Sequence, residues 1–296
     1  MRPHIRDMTS ADIDRVGEIF YEAFNKNALK YGYTPQIQSV NEAKSWAWAM
    51  LHHGPCIRLV AEVEERVVGA ICLNPRGENG GHGPLAIDPC SQGGGVAREL
   101  MNACFKRTED LQSTRCIQEA YNPETFYFLY TFNYMPVATL MDLILDKRVE
   151  PNADLCSDVA VLSTDDLDEL CAYDFPRSKF DRRTDLRYYS RWGKIFVYRS
   201  RSQIKGYLAC LPGPRGVQLG PLLAEGEEEA KILFKQAVKI FKERSCRTRV
   251  MARDSILVRA LQGLGFKLYC VDLLMIRGPW RPDKYVEAFG MFPEGV

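Results

Sequence analysis

Four stretches of this 296-residue chain recur in the same order in its second half, which restricts it to two copies of one fold plan. MTSADIDRV at 8–16 is echoed by LSTDDLDEL at 162–170, and VVGAICL at 67–73 by IKGYLAC at 204–210. GPLAI at 83–87 is echoed by GPLLA at 220–224. RVMARDSILVRALQGLGF matches the layout of CIQEAYNPETFYFLYTFNY, with Asp254 where Asn122 stands and Phe266 where Tyr134 stands. At roughly 150 residues per domain the length also allows two, each able to bury a core. The polar segment DKRVEPNADLCSD at 146–158 reads as the linker, so domains are expected over 1–148 and 157–296.

Inside the first copy, periodicity alternates strands with helices. HIRDM predicts a strand, and Thr9 or Ser10 can cap a helix carrying Ile13, Val16, Ile19 and Phe20 on one stripe. A second helix is predicted near 40–53, with Ala43, Trp46, Met50 and Leu51 inward. IRLVAEVEERVVGAICL reads as two strands joined by a tight turn at Glu64 and Glu65. GPLAIDP, ARELMNACFK, RCIQEAY, PETFYFLYTF and PVATLMDLILD follow as strand, helix, strand, helix and strand. The fold class is mixed α/β, in the α+β sense.

Composition excludes several classes. Lys plus Arg number 39 against 38 for Asp plus Glu, so no general field draws in nucleic acid or an anionic membrane. No apolar run is long enough for a membrane helix, and MRPHIRDMTS lacks a secretory h-region. The ten cysteines form no C-x-x-C and no zinc-finger spacing, so the expectation is a reduced cytoplasmic protein without metal.

The chemistry concentrates in DPCSQGGGVARELM, residues 88–101. A strand feeding a glycine-rich loop at a helix N-terminus presents backbone N–H groups that have no intrahelical acceptor, and absent β-carbons let an anion approach. The spacing is neither G-x-x-x-x-G-K-[ST] nor G-x-G-x-x-G. Q-x-x-G-x-A after a strand ending in D-P resembles the acyl-CoA motif, [QR]-x-x-G-x-[GA], of the GNAT superfamily of N-acyltransferases. The element order is similar to that family's, and Asn122 to Tyr134 resembles its N-x-x-A-x-x-L-Y-x-x-x-G-F segment. The whole chain looks like two tandem GNAT domains, each a mostly antiparallel sheet flanked by helices and split at an acyl-CoA cleft.

The resemblance implies that Gln92, Gly93, Gly94, Gly95, Val96, Ala97 and Arg98 hold the CoA pyrophosphate. It implies that Leu85, Ala86 and Ile87 pair with the pantetheine arm, and that Asn122 contacts that arm as well as capping a helix. The family's tyrosine acid falls at Leu129 by ungapped matching, leaving Tyr130 and Tyr127 as candidates, with packing inside FYFLYTF as the other reading of each. Glu119 is the candidate base; a solvated strand face is its alternative. His82 reads as a loop histidine, Asp88 as a turn residue, and Cys90 lacks the paired histidine of a cysteine nucleophile.

In the second copy GPLLA leads into Glu225-Gly226-Glu227-Glu228-Glu229, whose carboxylates would repel a pyrophosphate. That copy is expected to keep the fold without CoA, and to close the acceptor site, dimerise or cover a sheet edge. RSKFDRRTDLRYYSRWGK, 177–194, mixes seven cations with Tyr188, Tyr189 and Trp192, a composition that single-strand binding uses; the neutral total charge favours instead a solvated helix with buried aromatics. The implied activity is transfer of acetyl from acetyl-CoA to a primary amine on a small molecule or peptide, by direct attack in a ternary complex. A non-catalytic acyl-CoA-sensing module is the alternative.

Overall fold

The computed structural model describes residues 2–146, 157–280 and 284–290; nearly all of the expected linker lies outside them. The chain folds as two compact units, Met1–Cys116 and Ile117–Glu294.

The first unit contains β1 (His4–Asp7), α1 (Ile13–Lys30), α2 (Val40–His52), β2 (Ile57–Val63), β3 (Arg66–Arg76), β4 (Asn79–Ile87), α3 (Val96–Lys106) and the start of β5 (Ser113–Glu119). The sheet runs β1-β2-β3-β4-β5, antiparallel except for the parallel last pair. A short 3-10 turn, Ser10–Asp12, precedes α1 and is capped at Thr9. The Thr9 N–H and hydroxyl both donate to Asp12 Oδ2, at 2.8 and 2.9 Å. Arg6 grips the same carboxylate at 2.8 and 2.9 Å, and chiefly this hydrogen bonding pulls the Asp12 pKa down to about 2. Val16, Ile19 and Phe20 are fully buried on the α1 stripe. Glu64 and Glu65 both take positive φ, 50° and 61°, matching the two-residue hairpin whose twist suits antiparallel strands.

The strand predicted at Gly83 begins earlier, at Asn79. Its glycines hide it from propensity, yet Gly80 has a packing reason: a Cβ there would meet Leu111 Cδ1 at 2.9 Å and the Asn74 carbonyl at 3.1 Å.

The second unit takes the end of β5, then α4 (Pro123–Tyr130), β6 (Met135–Leu145), β7 (Val159–Val161), α5 (Leu167–Ser178), α6 (Arg183–Trp192), β8 (Lys194–Ser200), β9 (Gln203–Gly213) and β10 (Gly216–Ala224). It continues through α7 (Glu227–Ile240), β11 (Cys246–Met251), α8 (Ser255–Gly263), β12 (Lys267–Arg277) and β13 (Val286–Phe289). Its strands run β12-β6-β11-β13-β10-β9-β8-β7. β6 belongs by sequence to the first copy, yet it is antiparallel to both β11 and β12, with Asp142 opposite Arg249 on one side and Cys270 on the other. The division of the chain into these units falls within β5, after Cys116, whereas the sequence repeat points to the linker.

Leu233 and Phe234 of α7 and Leu257 and Leu261 of α8 share a core with Phe196, Leu208, Leu222 and Val250. Leu170 and Cys171 of α5 and Leu186 and Tyr189 of α6 pack with Tyr207 and Leu223. The basic stretch is an amphipathic helix of mixed outcome: Tyr189 is buried, while Trp192 is exposed. Arg182 pairs with the buried Asp174 at 2.6 Å, Arg177 reaches Glu225 at 3.3 Å, and Arg183 pairs with Asp168. Among the described residues no helix is long and apolar enough to cross a membrane.

Candidate active site: a bulged strand and a glycine loop

β4 is the element that positions the loop. It pairs with β3 at Gly69↔Ile87, Ala70↔Ala86 and Ile71↔Leu85, slips, then resumes at Leu73↔His82. The slip holds the cis peptide Gly83–Pro84, with Gly83 at φ +136°, a conformation a Cβ would oppose. On its other side β4 pairs with β5 only at Asn79↔Ser113, Gly80↔Thr114 and Gly81↔Arg115. Beyond the bulge, no strand among the described residues pairs with Leu85–Ile87 on that side. Leu85–Ile87 thus present a β edge without a partner strand, occupied only at Ile87 O by the Gln92 side chain, and an extended ligand can meet its remaining main-chain groups by hydrogen bonding.

The edge leads into a braced turn. The Asp88 N–H donates to Val68 O at 2.8 Å, and Ser91 N–H to Asp88 O at 2.8 Å. The Asp88 carboxylate accepts from Cys90 N–H at 2.9 Å and is paired with Arg15 of α1, with Arg66 at 3.5 Å. Asp88 therefore fixes the turn, as its sequence context suggests. Gln92 donates back to Ile87 O at 3.2 Å. Gly93 and Gly95 take left-handed φ of +83° and +82°, and Gly95 caps α3 with no side chain supplying an acceptor. The N–H groups of Val96, Ala97 and Arg98 thus lack intrahelical acceptors, and the helix dipole adds to them. Gln92–Gly95 and Arg98 are exposed while Val96 anchors the helix inward. Donors, a dipole and missing β-carbons are the features that suit a phosphate-type anion.

His82, which reads as a loop residue, is instead buried within β4, and burial pushes its pKa down to about 4. It is neutral at pH 7.

The remaining candidates lie in the second unit. Asn122 caps α4: its Oδ1 accepts from Thr125 N–H at 3.1 Å and its Nδ2 donates to Thr125 Oγ1 at 2.9 Å. Leu129 is 2% exposed, whereas Tyr127 and Tyr130, three residues apart on one side of the helix, are 70% and 50% exposed. Packing inside the amphipathic run accounts for Leu129 and Phe132, not for these tyrosines. Glu119 is half-buried at the end of β5, and its charge acts on Arg249 and Asp272.

Those two residues belong to a buried ionic cluster that sequence reasoning missed. Arg247 grips Asp142 through Nε at 2.8 and 3.1 Å. Arg249 Nε lies 2.7 Å from Asp272 Oδ2, too oblique for a hydrogen bond, and 3.4 Å from Asp142. Burial pushes the Asp272 pKa up to about 6 against the pull of Arg249, with Asp142 and Glu119 adding to the rise. Asp142, Cys270 and Asp272 bring possible metal ligands within 4.8 Å of one another. Two guanidinium groups already neutralise both carboxylates, so the arrangement is an ion-pair network.

The second copy repeats the bulge. Gly220–Pro221 is also cis, Gly220 has φ +144°, and the β9–β10 register slips between Leu219 and Leu222. β10 pairs with β11 only at Val217↔Cys246 and Gln218↔Arg247. Beyond the bulge β13 inserts, with Leu222, Leu223 and Ala224 opposite Ala288, Glu287 and Val286, and with Arg249 and Val250 opposite Phe289 and Ala288. All four β13 residues are buried. At the N-terminus of α7, Glu229 Oε2 lies 2.7 Å from where a Cβ on Gly226 would be. Glu227 accepts from Leu257 N–H at 2.7 Å, and Glu225 pairs with Lys205 at 3.0 Å.

Comparison with known proteins agrees with this duplication. Residues 15–125 match the model of the acetyltransferase (GNAT) family, and residues 171–290 match a second acetyltransferase (GNAT) domain model. No curated protein matches the chain. A putative acetyltransferase from Pyrococcus horikoshii is similar over 98% of this chain and 94% of its own, with a TM-score of 0.78 at 16% identity. A GCN5-related N-acetyltransferase from Sphaerobacter thermophilus covers 96% of this chain and 98% of its own, with a TM-score of 0.65 at 14% identity. A tandem GNAT protein from the clavulanic acid biosynthesis pathway covers 95% of this chain and 100% of its own, with a TM-score of 0.63 at 15% identity. At such identities the likeness is one of fold, and with the two matched domains it makes this chain a tandem member of the GNAT acetyltransferase superfamily.

Proposed function

We propose that the protein is an acyl-CoA-dependent N-acyltransferase that moves acetyl from acetyl-CoA to a primary amine by direct attack in a ternary complex. The observation carrying this reading is the free edge at Leu85–Ile87 running into the uncapped N-terminus of α3. The loop N–H groups of Gln92–Arg98 receive the pyrophosphate, and Leu85, Ala86 and Ile87 pair with the pantetheine amides. Bound acetyl-CoA supplies an activated thioester carbonyl. The chain must then accept a proton from the amine and deliver one to the leaving thiolate. Glu119 is the proposed acceptor, directly or through water, and Tyr130 or Tyr127 the proposed donor; Asn122 holds α4 in place and meets the CoA arm.

In this proposal the second copy binds no CoA. Its β10 edge is paired with β13, and the acidic side chains at α7 lie where the first copy presents bare glycine. The fold remains as a partner for the first copy's function, in the cytoplasm, with a homodimer as the proposed assembly.

Calorimetric titration with acetyl-CoA tests the cofactor assignment, with one saturable site per chain expected. A non-catalytic acyl-CoA sensor is the second reading, favoured by the burial of Leu129 at the family's acid position. Thiol release on mixing acetyl-CoA with a panel of amines separates the two. Turnover that drops at least tenfold in either Tyr130→Phe or Tyr127→Phe identifies the acid; unchanged rates in both remove the tyrosines from the mechanism.

A further inference from the structure

Away from the glycine loop, the first unit holds a thiol pair built around one amide. Cys56 lies just ahead of β2, half-buried, and Cys72 is fully buried in β3. Both sulfurs contact the same atom, Asn74 Oδ1, Cys72 at 3.5 Å and Cys56 closer. Cys56 also reaches His53 O at 3.0 Å.

The segment carrying Cys56 is clamped by Arg58, which donates to Cys56 O at 3.0 Å, His53 O at 2.8 Å and Gly54 O at 2.5 Å. Asn74 is 1% exposed, and its Nδ2 has no hydrogen-bond partner. A buried amide N–H without an acceptor is costly. Turning that amide over would aim its NH2 at both sulfurs, an arrangement that suits a thiolate at Cys56 and leaves no orphan donor. The surroundings favour that ion: donation from the Cys72 thiol comes first, burial opposes, and Arg76, Arg58 and His53 add positive charge, so the Cys56 pKa is pulled down to about 6.

We propose that Cys56 and Cys72 form an oxidisable dithiol site that reacts with hydroperoxides and closes to a disulfide. The Cys56 sulfur attacks one peroxide oxygen, the O–O bond breaks, and water leaves as the sulfenic acid forms. The Cys72 sulfur then attacks that sulfur, the S–S bond forms, the S–OH bond breaks, and a second water leaves with the Cys72 proton. Two thiols lose two electrons and two protons, and hydrogen peroxide is reduced to two waters. Cys56 is the attacking residue because it is the more accessible, and Cys72 resolves because it is sealed behind it.

The test treats the reduced full-length protein with equimolar hydrogen peroxide at pH 7, alkylates free thiols and maps peptides by mass spectrometry without reduction. The expected product is a Cys56–Cys72 cross-linked peptide, formed roughly tenfold faster than any modification of the exposed Cys90 and reversed by dithiothreitol. In Cys72→Ala the sulfenic acid at Cys56 should be trapped by dimedone, and in Cys56→Ser both products should vanish. Preferential oxidation of Cys90, or Cys56 advancing to sulfinic acid while Cys72 stays alkylatable, would overturn the proposal. The wild-type mapping stands whether or not the variants fold.

Discussion

Two strands of this protein break at the same tripeptide, Gly83-Pro84-Leu85 in β4 and Gly220-Pro221-Leu222 in β10, and the main chain beyond each break meets a different fate. After the first, Leu85–Ile87 keep an edge with no strand against it among the described residues; after the second, Val286–Ala288 hydrogen-bond along the edge and Phe289 continues onto β11. A bulge and the splay it creates therefore do not by themselves leave an edge open. The difference lies in what the chain supplies next. Bare Gly93-Gly94-Gly95 follows one break, while carboxylates at Glu225, Glu227 and Glu229 follow the other, the first two already engaged by Lys205 and the Leu257 N–H.

The largest effect is expected from emptying the filled cleft. Phe289, 1% exposed, packs with Leu140, Met251, Leu274 and Ile276. Phe289→Ala should destabilise the second unit by about 3 kcal/mol, measured by urea unfolding, without changing acetyl-CoA affinity. A chain ending before Tyr285 that gained a second equivalent of bound acetyl-CoA would show that β13, rather than the acidic loop, is what separates the copies.

Next comes the open cleft. Gly94 lies outside the left-handed region, and a Cβ there would meet nothing nearer than Ser91 O at 3.6 Å. Gly94→Glu therefore adds a carboxylate without strain, unlike the same change at Gly95, whose φ is +82°. It should weaken acetyl-CoA binding at least about 100-fold with the melting temperature unchanged. Equal affinity would break the comparison at its stronger end.

Smaller effects sharpen the contrast between the two helix caps. Asn122→Ala should cost about 1 kcal/mol, because Asn122 caps α4. Its counterpart Asp254 makes no such bond, its Oδ2 is buried without a hydrogen-bond partner, and burial pushes its pKa up to about 6. A carboxyl with a raised folded pKa holds its proton longer in the native state, so its contribution to stability falls as pH climbs from about 4 through 6. Asp254→Asn should remove that loss and stabilise the protein above pH 6 by about 1 kcal/mol, while changing nothing near pH 3. Denaturant midpoints at four pH values would decide it.

The glycine loop, the capped α1 and the repeat were legible because each is a local pattern: a strand, a turn chemistry and a helix stripe within a few residues. β13 was not, because VEAF is only four residues long and gains meaning only from the gap it enters. The Asp142–Arg247 pair was unreadable for a related reason, its partners being 105 residues apart on strands whose adjacency no periodicity encodes. Asn79–His82 was masked by its two glycines, of which Gly80 is kept for close packing. Trp192 shows the limit of pattern in the other direction: its helix is amphipathic, yet the ring stays exposed. Glu119 was singled out as a base from its position; that its charge bears on Arg249 and Asp272 required the fold.

The placement of β6 sets an order of events during synthesis. When Leu145 leaves the ribosome, neither β11 nor β12, the strands that flank β6, has been made. Both edges of this eleven-residue strand must wait for about another hundred residues, unpaired and carrying Leu140, Leu143 and Leu145. Asp142, in the middle of the waiting segment, puts a charge where an edge-to-edge mispairing would otherwise be driven by apolar residues alone. Arg247 then arrives to neutralise it, and the strand is locked in register only once nearly the whole chain exists.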